Sequence, residues 1–167
     1  MFYYFGRKGR LAPLYPPPAH DLVIEPFAGS MAYTLHHRPP AAIGIEVDQR
    51  VARVWREVTA KSPEDLLEWP ESVVGERTED RWAMMAAGSH GTARASSYLW
   101  TERMSRDFAK QRRLAARCVD YARSRVEYRQ GSYADAPDVT ATWFIDPPYQ
   151  KVRRGYGRDR IDYEELG

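Results

Sequence analysis

Apolar positions fall into two short continuous runs near the start, a long middle stretch at helical spacing, and two more short runs near the end. Residues 21–27 and 41–47 lack the alternation of a half-exposed strand. They read as strands buried on both faces, as in a parallel sheet. Between them Ala28-Gly29-Ser30 predicts a turn, and Met31 to Leu35 the start of a helix with Ser30 near its cap. Arg38-Pro39-Pro40 ends that helix. Residues 50–122 read as helical throughout. Val51, Val54, Trp55 and Val58 share one face, and Ser62-Pro63-Glu64-Asp65 opens a second helix carrying Leu66, Leu67 and Trp69. A loop signal stands at 88–92. Residues 103–123 then predict a long basic helix with Phe108, Leu114, Cys118 and Tyr121 as its apolar stripe. A third strand is expected over 125–129, a turn over 131–135, and a fourth strand over 140–145 with Asp146 at its carboxyl end. Ahead of all these, Pro16-Pro17-Pro18 is a stiff connector.

Strand, glycine turn, helix, and a strand ending in an acid is the opening of a Rossmann-like, doubly wound α/β sheet. Ligands of such sheets lie beyond the carboxyl ends of the strands. Gly29, Glu46, Ser132-Tyr133 and Asp146 all fall there, and Glu46 follows Gly29 by 17 residues, near the spacing of a ribose-binding acid. The plain alternative is that each is only a loop after a strand. The length of 167 residues suits one domain. Residues 1–49 and 123–167 form its sheet, and 50–122 is a helical insertion.

Composition adds exclusions. With 43% hydrophobic and 29% charged residues the chain can build a core, and no run approaches a membrane span. The aromatic start is too short for a signal peptide. The single cysteine, Cys118, excludes an internal disulfide and suits a reducing compartment, so the expected location is the cytoplasm. The four histidines show no metal-ligand spacing, so no metal is expected. Net charge is only +2, but it is unevenly spread: acids crowd 64–80, while 94–129 holds ten bases against four acids. Such a stretch is either a solvated helix face or a surface that tracks phosphates.

Asp146-Pro147-Pro148-Tyr149 ends the fourth apolar run. Two prolines cannot continue a ladder, so the chain must stop and loop there. The Asp146 carboxylate and the Pro147 carbonyl would face one point as acceptors, and the Tyr149 ring would cover a planar base lying on it. Two acceptors on an exocyclic amine hold its nitrogen as the lone pair turns towards an electrophilic carbon. Pro-Pro-Tyr also occurs in ordinary turns and in PPII ligands.

With these segments in order, the chain resembles the DNA adenine N6-methyltransferases, in a compact form like those of phages and prophages. Residues 4–10 (Tyr-Phe-Gly-Arg-Lys-Gly-Arg) look like the family's N-terminal cofactor segment, with Gly6 and Lys8 at its Gly-x-Lys positions. Glu25-Pro26-Phe27-Ala28-Gly29-Ser30 resembles its glycine turn, 131–135 the turn before the catalytic strand, and Asp146-Pro147-Pro148-Tyr149 the catalytic motif. The resemblance implies S-adenosylmethionine as methyl donor. Phe27 and the Ala28-Gly29 backbone would pass under its methionine part, and Lys8 and Tyr4 would reach its carboxylate. Glu46, with Val47 beside it, would take the ribose hydroxyls, and Ser132 or Tyr133 would lie by its adenine. Asp146 would touch both the target amine and the donor's amino group. Two departures stand out. Met31-Ala32 follows Ser30 where the family often has a second glycine, and Glu46 stands where Asp is commoner, with Asp48 nearby.

The implied partner is double-stranded DNA, from which the target adenine must be flipped. The insertion corresponds to the family's target-recognition region, so Arg94, Arg103, Arg106, Arg112 and Arg113 are expected to meet phosphates, with Tyr98 and Trp100 nearby and the acidic stretch facing away. A restriction-modification setting is consistent with the resemblance. The sequence ends 18 residues after Tyr149, where a complete sheet of this kind has further strands, so the fourth strand is expected to be an edge with part of its apolar face exposed. Two other readings remain at this point: an rRNA guanine N2-methyltransferase, which uses an Asp-Pro-Pro-aromatic loop too, and a non-catalytic nucleic-acid-binding remnant.

Overall fold

The computed structural model describes residues 8–71, 74 and 100–147. Four strands form one all-parallel sheet: β1 (Leu22–Glu25), β2 (Ala41–Glu46), β3 (Val126–Gln130) and β4 (Thr142–Trp143), in the order β3-β2-β1-β4. The described helices are α1 (Ala32–His37), α2 (Gln49–Thr59), α3 (Pro63–Leu67) and α4 (Glu102–Arg125), with short 3-10 turns at Ala12–Leu14 and Tyr133–Asp135. The α/β parallel architecture expected from the apolar runs is present.

β1 is buried on both faces, as its unbroken apolar run required; Val23, Ile24 and Glu25 are all inside. It stops one residue before Pro26, which has no N–H to give the ladder. α4 touches both α1 and α2, and between these helices and the sheet lie Val51, Val54, Trp55, Val58, Phe108, Ala115, Val119 and Ala122. The apolar face of α4 is therefore rotated from the expected one. Gln111, Ala115, Val119 and Ala122 are buried with Phe108 and Cys118, while Leu114 and Tyr121 are only half-buried at its margin.

Several boundaries move. The insertion is not helical throughout: residues 60–62 and 68–71 are turns and extended chain, and 88–92 lie outside the described residues. Pro63 sits in the first turn of α3 behind a Ser62–Asp65 capping box, as its sequence predicted. α4 runs two residues beyond its expected end, so Arg125 closes the helix and β3 begins at Val126.

β4 pairs through only two residues. One more bond, Phe144 N–H to the Ile24 carbonyl (2.9 Å), carries the contact towards Asp146. It is the sheet edge among the described residues, and Trp143 and Ile145 are exposed. Its start is held by the Thr142 hydroxyl, which accepts the N–H groups of Ala19 (2.9 Å) and His20 (3.0 Å). Tyr33 stacks on Phe144 at 4.5 Å and donates its hydroxyl to the Pro16 carbonyl, so the proline connector and α1 both close over β4.

Candidate active site

The turn after β1 is built around Gly29, whose φ of 46° is left-handed and suits a residue without Cβ. Both sides of its peptide group are held. The Gly29 N–H donates to Glu46 Oε2 at 2.9 Å, while the Gly29 carbonyl accepts from Trp55 Nε1 at 2.8 Å and from the Tyr128 hydroxyl at 3.0 Å. Trp55 and Tyr128 stack on each other at 4.5 Å. Sequence patterning marks these two only as apolar positions on a helix and a strand. The missed signal is chemical: a buried indole or phenol needs a partner for its polar end.

Ser30 is not the cap of α1. The N-cap is Met31, itself left-handed (φ 49°), with no side-chain cap bond. The cap comes instead from β1, where Glu25 Oε1 accepts the Thr34 N–H at 2.9 Å. A left-handed non-glycine residue costs about 1–2 kcal/mol. Packing opposes that cost here: Met31 is fully buried and its sulfur lies across Gly44 of β2. A Cβ added to Gly44 would come 2.5 Å from Met31 Sδ and 3.1 Å from Ala28 Cβ. Gly44→Ala is therefore expected to destabilise the fold by about 1–3 kcal/mol, the usual cost of overpacking, read as a lowered denaturation midpoint. An unchanged midpoint would show that Met31 and the turn yield freely.

Glu46 also spends its oxygens on backbone N–H groups. Its second oxygen accepts the Asp48 N–H at 2.9 Å, and its backbone carbonyl accepts the Gly131 N–H at 3.0 Å, tying the exit of β3 to that of β2. Both glutamates are buried. Burial pushes the Glu25 carboxyl up to about 7, against the opposing Thr34 N–H, with the Asp146 charge adding to the rise. Burial likewise raises Glu46, against the N–H groups of Asp48 and Gly29.

At the end of β4, Asp146 Oδ1 pairs with Lys8 Nζ at 2.8 Å, and both side chains are largely buried. Since β4 neighbours β1, this pair stands beside the glycine turn. The sheet order turns back between β1 and β4, the position where ligands of doubly wound sheets bind. On the other side of the turn, Phe27 and Tyr133 face each other at 5.4 Å with rings tilted by 32°. Ser132 caps the 3-10 turn that carries Tyr133, accepting from the Ala134 N–H and donating its own N–H to Asp135 at 2.7 Å. Val47 is exposed, while Ala28 and Ser30 are buried in the turn and Pro26 shares its backbone.

One edge of the sheet thus gathers Lys8, Glu25, Phe27, Gly29, Glu46, Tyr133 and Asp146, with Pro147 next in the chain. Tyr4, Gly6, Pro148, Tyr149, Arg94 and Tyr98 lie outside the described residues. For a cationic donor bearing a nucleoside and an amino-acid tail, the donor set fits. Two aromatic rings offer a place for a base, the part-exposed Asp146 carboxylate suits a positive group, and Lys8 suits a carboxylate. Glu46 already holds two N–H groups, so it would receive a ribose with its remaining lone pairs.

The basic residues of the insertion divide. Arg103, Arg106 and Arg113 are exposed on α4. Arg112 departs from the expected phosphate contact. Its guanidinium donates to the Trp69 carbonyl at 2.6 Å, pairs with Glu71 at 3.2 Å and lies over the Phe108 ring, fastening α3 to α4. Trp100 is buried against Phe108, so it too belongs to the core. No helix of the described residues is long and apolar enough to cross a membrane, and they hold no group of metal-ligating side chains. Comparison with models of known protein families and with curated proteins finds no match.

Proposed function

We propose that this protein transfers a methyl group from S-adenosylmethionine to N6 of an adenine flipped out of duplex DNA. The observation that carries the reading is Asp146, held at 2.8 Å by Lys8 at the carboxyl end of β4, beside the Gly29 turn. An acid followed by Pro147, at the edge where ligands of doubly wound sheets bind, supports a reading in which it grips an amine and presents it to a donor.

The donor supplies an electrophilic methyl carbon. Everything else falls to the chain. Asp146, with the Pro147 carbonyl, accepts the hydrogens of the amine and turns the nitrogen lone pair outwards. Lys8, 2.8 Å from Oδ1, fixes the direction of the Asp146 side chain. When the N–C bond forms and the S–C bond breaks, the nitrogen becomes cationic and must lose a proton. Asp146 is the nearest base to take it, passing it on to solvent. Phe27 and Tyr133 flank the donor's base, and the clamped Gly29 turn lets its backbone approach closely.

The test is transfer of labelled methyl to unmethylated duplex DNA, with the product nucleosides separated. Label in N6-methyladenosine is the expected result. Label in guanine of RNA in preference to DNA would replace the substrate, and absence of S-adenosylmethionine binding in calorimetry would remove the reading altogether.

A further inference from the structure

α4 presents a second surface, set apart from the strand ends. Its buried positions, Phe108, Gln111, Ala115, Cys118, Val119 and Ala122, lie on one side. On the far side Arg103, Arg106, Lys110, Arg113 and Arg117 are all exposed. Their spacing of three, four, three and four residues puts them within an arc of about 80° at 3.6 residues per turn. No acid falls within that arc. Arg103 pairs loosely with Asp107 at 3.9 Å, whereas Arg106, Lys110, Arg113 and Arg117 have no ion pair among the described residues. Arg38 bonds the Arg117 carbonyl at 3.0 Å and adds its own charge at that end. Arg112 and Arg123 are directed elsewhere: Arg112 holds Trp69 and Glu71, and Arg123 donates to the carbonyls of Thr59 and Lys61.

We infer that this stripe on α4, from Arg103 to Arg117 and ending at Arg38, is a rail for a nucleic-acid phosphate backbone. The five positions span about 21 Å at 1.5 Å per residue. Exposed cations kept at that density in a row repel one another, which a solvated helix face avoids by interleaving acids. A polyanion lying along the row removes the repulsion and releases counterions. The rail also has a direction. Tyr121 bonds the Pro39 carbonyl at 2.7 Å, so the Arg117 end of α4 stands level with the start of β2. The choice of duplex DNA over other polyanions rests on the methyl-transfer reading; the stripe itself does not.

The experiment measures the salt dependence of binding to an adenine-free G·C duplex, without donor, for the full chain and for a variant carrying R106Q, K110Q, R113Q and R117Q. These sites are exposed and Gln is a good helix former, so the fold is retained, checked by the denaturation midpoint. The slope of log K against log salt is expected to become shallower by about 3–4, at roughly 0.9 for each phosphate that the variant no longer neutralises. The single variant Arg112→Gln is expected to keep the wild-type slope. An unchanged slope in the fourfold variant, or an equal loss in Arg112→Gln, overturns the rail, as does polyglutamate competing as well as DNA at equal charge. Because the duplex holds no adenine, the slope answers separately from methyl transfer: a reduced slope in the variant without any transfer by the wild type leaves the rail standing and removes the reaction, and the converse does the opposite.

Discussion

Replacing Asp146 with Ala is expected to lower the single-turnover rate of methyl transfer at saturating donor by about 10²–10³-fold, the usual effect of removing one group aimed at charge that develops in the transition state. Two losses combine. The amine loses the acceptor that turns its lone pair outwards, and the new ammonium loses its nearest base. The variant also leaves Lys8, a largely buried ammonium, without the carboxylate 2.8 Å away. The denaturation midpoint must therefore be measured beside the rate. Asp146→Asn separates the two effects, since it keeps an acceptor oxygen but cannot take a proton. It should fall between wild type and Ala. A rate for the Ala variant within tenfold of wild type, in a folded protein, would exclude Asp146 from the chemistry.

Stability is expected to fall as pH rises from about 4.5 to about 7, and Glu25 sets that window. Its carboxyl is pushed up to about 7 by burial, from 4.5 in the unfolded chain. Below 4.5 it is protonated in both states and costs nothing. Between the two values the folded protein keeps a proton that the unfolded chain has released, so each rise in pH favours unfolding. Above about 7 the full penalty is present. At 1.36 kcal/mol per unit it amounts to about 3 kcal/mol. Glu46, also raised by burial, acts with the same sign. Asp65 and Glu127 are held low, by the Ser62 N–H and by Arg129 respectively, and act with the opposite sign, but both are exposed and screened by solvent. In Glu25→Gln an oxygen still faces the Thr34 N–H, and the charge is gone. Denaturation from pH 4.5 to 8 should show a flatter profile in the variant. Parallel profiles for the two proteins would place the titration elsewhere.

The sheet was legible because short continuous apolar runs such as 22–24, bounded by turn residues, are what a strand covered on both faces shows. Proline positions were equally readable, since a missing N–H acts locally: Pro26 ends β1, and Pro63 opens α3 behind Ser62. What sequence patterning did not reveal is where polar side chains spend their hydrogen bonds. Glu25 and Glu46 stand at strand ends, the position of ligand-binding acids. The fold turns their oxygens inwards, to Thr34, Gly29 and Asp48. Arg112 has the same character. Its place in a basic run suggests solvent, but at the edge of the buried face of α4 it is drawn to the Trp69 carbonyl. The extent of β4 depended on a neighbour distant in sequence, Ile24, that no local pattern contains.

The Gly29 peptide group bears on any ligand at this edge in a further way. With its N–H fixed by a side chain of β2 and its carbonyl by side chains of α2 and β3, the turn can open only if three elements part together. Its backbone conformation is therefore settled before anything binds. A molecule arriving there orders little main chain, so little conformational entropy is subtracted from its contact energy. The edge behaves as a rigid mould, and discrimination between ligands has to come from their shape.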